Sequence, residues 1–138
     1  MHKLLAGSLL AAASLLVAAS ALIAQERPAP QMEVFREIAE ALANRDADAF
    51  LDQFDRQMLE YEKLRDEIRE LLAVTQEIGT TMDVISDEGD EQKRSLELDW
   101  VLKFDTEDPR RQIVKCRAEK QGKKWKITAL EPVEFFKK

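Results

Sequence analysis

Between Leu96 and Phe104 every second side chain is large and apolar. Leu96, Leu98, Trp100, Leu102 and Phe104 fall on one side of an extended strand, and Glu97, Asp99, Val101 and Lys103 on the other. Side chains of a strand alternate between faces, so this run demands a sheet with one greasy face and one wet face. The pattern recurs on both sides. Ile78, Thr80, Met82 and Val84 alternate with Gly79, Thr81 and Asp83, and Asp87-Glu88-Gly89-Asp90 reads as the loop that follows. After a polar turn at Asp105–Arg111 containing Pro109, Val114, Cys116 and Ala118 alternate with Lys115, Arg117 and Glu119. A turn at Gln121-Gly122 leads to Trp125, Ile127 and Ala129.

Hairpin registers test whether these runs belong to one sheet. Pairing Phe104 with Gln112 sets Trp100 opposite Cys116, Leu98 opposite Ala118 and Asp99 opposite Arg117. Pairing Lys120 with Lys123 sets Cys116 opposite Ile127, Ala118 opposite Trp125 and Arg117 opposite Lys126. Both pairings give one apolar and one charged face, and a slip of one residue would invert this agreement. The apolar face must be covered, and the sequence before it supplies the cover. Phe35, Ile38, Ala39 and Leu42 stand at helical spacing. Asp46 reads as an N-cap for a short helix burying Phe50, Leu51 and Phe54. A third helix from about Gln57 carries Leu64, Ile68, Leu71 and Leu72, with Tyr61 one turn before Leu64. Its opposite side, from Glu62 to Glu70, is a charged run that reads as a solvated helix face. The expected fold is α+β, with three N-terminal helices packed on a curved four-stranded antiparallel meander.

The first 24 residues stand apart. Met1-His2-Lys3 is a basic head, Leu4–Ile23 holds no charge, and Ala19-Ser20-Ala21 offers a small-x-small exit, with a second at Ala24. These are the parts of a secretory signal peptide. The stretch also approaches the roughly 20 apolar residues that span a bilayer, but Ala, Ser and Gly dilute it and no basic stop-transfer cluster follows. The expected organisation is a signal peptide over 1–24, a flexible lead-in over 25–31 and one domain over 32–138. The product would be exported to the periplasm or medium, with no stable membrane anchor after processing. Cleavage removes Lys3 and no acid, so the formal charge moves from −6 to −7. Such a surface repels phosphate backbones and anionic headgroups, which argues against nucleic acid as a partner. Cleavage also removes His2, the only histidine, and with it histidine acid–base chemistry, Ser-His-Asp catalysis and imidazole zinc sites. Cys116 is the only cysteine; its parity places it in the core. No glycine-rich phosphate loop is present, and nothing in the sequence calls for a cofactor or a metal. Asp87, Glu88, Asp90 and Glu91 around Gly89 lack the alternating ligands of a calcium loop and read as a solvated turn.

Several short patterns carry a family resemblance over about Met32 to Phe136. They are the polar break before Asp46-Ala47-Asp48-Ala49-Phe50-Leu51, the following Phe54-Asp55, Met58 and Tyr61 opening the third helix, Leu98-Asp99-Trp100, and Lys124-Trp125-Lys126-Ile127. With helices preceding a curved meander, the chain resembles the cone-shaped nuclear transport factor 2-like superfamily, which includes polyketide cyclase-like members. One departure is that members usually have a short strand between the second and third helices, for which Gln57–Glu62 leaves little room. The resemblance implies a pocket between helices and sheet, which in different members is a catalytic site, a ligand site or plain core, and a tendency to dimerise through the sheet.

Two functional readings follow. The first is a small exported binding or interaction domain that holds either a small apolar ligand, in a pocket lined by Tyr61, Met82, Leu98, Trp100 and Trp125, or a protein partner, a second copy of the chain included. The second is a cofactor-independent isomerase or cyclase, which the resemblance implies would use an aspartate base and a tyrosine donor. Asp55, with Glu60 nearby, and Tyr61 are the residues for these roles. The plainer reading makes Asp55 a helix end and Tyr61 a core-edge side chain, because the inner sheet face offers a base no polar company. The tail Val133–Lys138 either folds its two phenylalanines back over the roll or presents them as a docking patch.

Overall fold

The computed structural model describes residues 29–138. The expected leader with its exits at Ala21 and Ala24, His2, and residues 25–28 of the lead-in lie outside the described residues. A 3-10 turn at Pro30–Met32 precedes α1 (Glu33–Ala43), α2 (Ala47–Leu51) and α3 (Tyr61–Val74). Four strands follow, β1 (Ile78–Gly89), β2 (Lys93–Phe104), β3 (Arg110–Gln121) and β4 (Lys124–Glu131), and a 3-10 turn at Val133–Phe136 closes the chain. The strands lie in sequence order in one antiparallel sheet. This is the expected α+β meander.

The helices form where the apolar spacing predicts them, and the short second one adds a side-chain cap. α1 buries Val34, Phe35, Ile38, Ala41 and Leu42. The Asp46 carboxylate accepts from the Ala49 N–H at 3.0 Å and starts α2, as its position before the apolar pair suggests. α3 buries Leu64, Ile68, Leu71 and Leu72. It begins at Tyr61, later than the Gln57 expected, because Glu60 takes a left-handed conformation (φ 65°) that breaks the helical run. The missing short strand is reduced to a single parallel bridge. Asp55 N–H donates to the Ile127 carbonyl and Ile127 N–H to the Gln53 carbonyl, each at 2.8 Å, tying the end of α2 to β4.

The sheet keeps the expected faces but corrects both registers. Trp100 pairs with Gln112, Leu98 with Val114 and Leu96 with Cys116, a slide of four residues from the expected β2–β3 pairing. The cause lies at the end of β2. Phe104 pairs with Ile78, and the Asp105 N–H donates to the Glu77 carbonyl, so this end binds β1 while pairing with β3 stops at Leu102 and Arg110. On the other side Gln121 pairs with Lys124 and Ala118 with Ile127, so the turn is Gly122-Lys123, with Gly122 at φ 66°. A bulge opposite Arg117/Ala118 then turns Leu130 inward, where Ala129 was expected. The slides before the bulge are even, so Trp100, Cys116 and Ile127 all remain buried. A second bulge, between Val84 and Ser86, turns Asp87 towards the inner side. There its carboxylate accepts from Gln31 and Arg94 at 2.8 Å each, so β1 runs through the segment read as a loop.

Gly89 shows how tightly the β1–β2 turn is specified. Its φ is 142°, and a Cβ there would run into the Lys93 carbonyl oxygen. Gly122 has open space around it. Gly89→Ala is therefore expected to cost more stability than Gly122→Ala, which strains only the backbone by about 1 kcal/mol. Urea denaturation of the two variants checks the order, and equal losses would contradict this geometry.

Candidate functional site

The space between helices and sheet is the first place to look for a site, and it is occupied by the chain itself. Phe135 and Phe136, from the closing turn, are 4% and 0% exposed. The Phe136 ring lies 5.3 Å from the Trp100 ring and 5.4 Å from that of Phe50, both edge-on, and Phe135 lies 5.8 Å from Trp100. Phe54 extends the cluster, 5.0 Å from Phe50. Edge-to-face pairs of this kind add roughly 0.5–1.5 kcal/mol each to the burial of the rings. The tail is also tied down by Arg110, whose Nη1 donates to the Phe135 and Lys137 carbonyls at 2.6 Å, and by an exposed Lys63–Glu134 ion pair. Of the two courses open to the tail, it takes the fold back over the roll. The Trp100 indole N–H donates to the Thr80 hydroxyl at 2.7 Å, which satisfies the polar atom of the buried tryptophan.

The residues considered for an apolar pocket are placed accordingly. Leu98 and Trp100 are fully buried in the packed core, and Met82 is half-buried directly opposite Trp100. Tyr61 is half-buried at the start of α3. Trp125 borders a surface dent of about 190 Å³ with Pro30, Glu33, Val34, Glu37, Gln53, Lys123 and Lys124, and the other four residues do not line it.

Asp55 and Tyr61 are joined by no hydrogen bond among the described residues. The Asp55 carboxylate accepts from the Gln57 backbone N–H and from the Gln121 side-chain amide, both at 2.8 Å. These donors, the Gln57 N–H foremost, hold the carboxyl below its ordinary pKa. A general base sheltered by apolar walls would move the other way. Asp55 borders a surface concavity with Gln121 and Lys126, and Tyr61 does not line it. Among the described residues no group of three or more acids or cysteines is arranged to hold a metal ion.

A more developed concavity lies on the outer face of the sheet. A trough of about 450 Å³ runs across all four strands. Two cross-strand rows build it: Ser86, Glu97, Lys115 and Glu131, then Glu88, Ser95, Arg117 and Ala129. The bulges in β1 and β4 flank these rows and bend the edge strands around them. Arg117 is the exposed centre. Its row neighbours, Ser95 and Ala129, are too short to cover it, and among the described residues its guanidinium takes part in no ion pair. A second concavity of about 280 Å³ shares Glu88, Ser95 and Arg117. The register slide explains why sequence reading missed this place. The expected pairing gave Arg117 the partner Asp99, whereas Asp99 instead accepts from Arg111 at 2.9 and 2.5 Å.

No protein-family model matches the sequence, and no curated protein matches it. Solved structures do. A nuclear transport factor 2-like protein of unknown function from Shewanella oneidensis superposes with a TM-score of 0.61 at 13% identity, covering 72% of this chain and 92% of that one. The chain has the nuclear transport factor 2-like fold. A cystatin-like-fold protein of unknown function from Nostoc punctiforme gives 0.57 at 18% identity, covering 73% of this chain and 85% of that one. Bd1075 of Bdellovibrio bacteriovorus gives 0.62 at 14% identity over 70% of this chain, which spans only 36% of Bd1075. At these identities the likeness establishes the nuclear transport factor 2-like fold and leaves function to the site.

Behind the trough floor, Cys116 faces the core, and burial pushes its thiol up to about 12. The thiolate that reacts with disulfide reagents is therefore scarce in the folded protein. Ellman's reagent at pH 8 is expected to label Cys116 only as the chain unfolds. Rapid labelling in native buffer would show that the sheet is not closed as described.

Proposed function

We propose that this chain is an exported, non-catalytic binding domain that works through the outer face of its sheet and uses its interior as core. The observation that carries this reading is the packing of Phe135 and Phe136 against Trp100 and Phe50. A small apolar ligand in the cone would have to displace these rings, and burying one such ring is worth about 1.5–3 kcal/mol. The outer face offers relief, charge of both signs and an uncovered arginine without that cost. Export is supported by the basic head, apolar middle and small-residue exit of residues 1–24. The charged rows of the outer face would accept a polar partner or ligand.

Thermal-shift screening against a panel of small aromatic and aliphatic compounds is expected to leave the unfolding temperature of the natural chain unchanged. Phe136→Ala should lose about 3–5 kcal/mol of stability and gain binding of benzene-sized molecules, because it opens an apolar void. Saturable binding of apolar compounds by the natural chain would sink the reading. Export has its own check. The chain recovered from outside the cytoplasm should begin at Leu22 or Gln25 by mass spectrometry. Recovery of only the unprocessed chain, confined to the cytoplasm, would contradict it.

A further inference from the structure

From the trough on the outer face we infer a binding site for a carboxylate carried beside a cationic group, as in a free amino acid or the C-terminal end of a short basic peptide. This rests on the outer face being the working surface. Three features point to that ligand. First, Arg117 is exposed, and its cross-strand neighbours on either side are Ser95 and Ala129, which leave its guanidinium open. The planar fork of an arginine matches the two oxygens of a carboxylate. Second, Lys115 lies two residues along the same face and the Ser95 hydroxyl beside it, so positive charge and a neutral donor converge on one part of the trough.

Third, the rest of the wall is acidic. Glu88, Glu97 and Glu131 border the same trough, and Glu119 borders the adjoining concavity. These carboxylates repel a multiply charged anion such as phosphate and attract an ammonium or guanidinium carried on the same residue as the bound carboxylate. The trough thus selects paired opposite charges over either charge alone. Cross-strand Glu97 and Glu131 flank Lys115, whereas the cross-strand neighbours of Arg117 carry no charge, so the weight of carboxylate recognition falls on Arg117. The volume of about 450 Å³ accommodates a residue or two of peptide and lies within the range of small-molecule sites.

The test is an amide-resolved NMR titration of the 15N-labelled full chain with the tripeptide Lys-Ala-Lys. Saturable shifts are expected at Ser95, Arg117 and Ala129. Amidating the peptide's C-terminus should weaken binding roughly ten-fold or more, the loss of one charge-assisted pair. Arg117→Lys keeps the charge but loses the fork and should weaken the free peptide by a similar factor while the amide spectrum elsewhere is unchanged. Ala129→Leu, which fills the space beside Arg117 and leaves every charge in place, should do the same. Acetyl-Lys-Glu-amide separates the sources of the carboxylate: shifts at the same three residues assign the site to side-chain carboxylates as well as chain ends, and silence confines it to chain ends. Inorganic phosphate should bind more weakly than the tripeptide. Equal binding of the free and amidated tripeptides, stronger binding of phosphate, or no response at Ser95, Arg117 and Ala129 would overturn the inference. None of those results would bear on whether apolar compounds enter the cone, so the broader reading fails or stands separately.

Discussion

A sheet with one apolar face cannot remain uncovered in water, and the rest of this molecule follows from how that face is closed. Leu96, Leu98, Trp100, Leu102, Val114, Cys116, Ala118 and Ile127 are all buried on it. α1 and α3 supply stripes of aliphatic and aromatic side chains from one side. The closing turn supplies Phe135 and Phe136 to what remains. Apolar area removed from water stabilises by about 25 cal/mol per Å², so two phenylalanines are a large share of the marginal stability of a small domain. The tail is therefore as much a part of the core as any helix.

That closure decides where chemistry can occur. In a cone emptied of its tail, Trp100, Met82 and Leu98 would border an apolar space. With the tail in place they are neighbours in a packed interior, and the polar atom among them, the Trp100 indole N–H, is already satisfied by Thr80. Asp55 is pulled the other way, into a local network with Gln57 and Gln121 that favours its ionised form. The depressed pKa makes this group a contributor to stability above its ordinary value, and that contribution is lost as the pH falls through the lowered one. Its hydrogen bond from Gln121 ties the end of α2 to the β3–β4 turn, alongside the Phe54–Ile127 bridge. Inside, the molecule is closely packed; outside, its bulged edges make relief.

Much of the fold was legible because side-chain alternation and helical spacing are properties of the chain alone. The faces of β2 and β3, the Asp46 cap and the apolar stripes of the helices could be read directly. Register could not, because sliding two strands by an even number of residues preserves every face. Leu98 meets an apolar partner whether that partner is Ala118 or Val114. What fixed it was a competition at the end of β2, where Phe104 and Asp105 bond towards β1. Bulges were equally hidden, since one extra residue at Thr128 or Ile85 leaves no compositional mark. The candidate site depends on both. Only the true register places Arg117 between Ser95 and Ala129, and only the bulges bend the outer face into a trough. The tail was undecided for a related reason, as two exposed and two buried phenylalanines have the same sequence.

Proton–proton nuclear Overhauser contacts between the Trp100 indole and the rings of Phe135 and Phe136 test the closed interior most directly. Ring centroids 5.8 and 5.3 Å apart predict strong cross-peaks from Trp100 to both phenylalanines, with further contacts from Phe136 to Phe50. A folded protein whose Trp100 shows no contact with either ring would contradict the account, because the cone would then stand open.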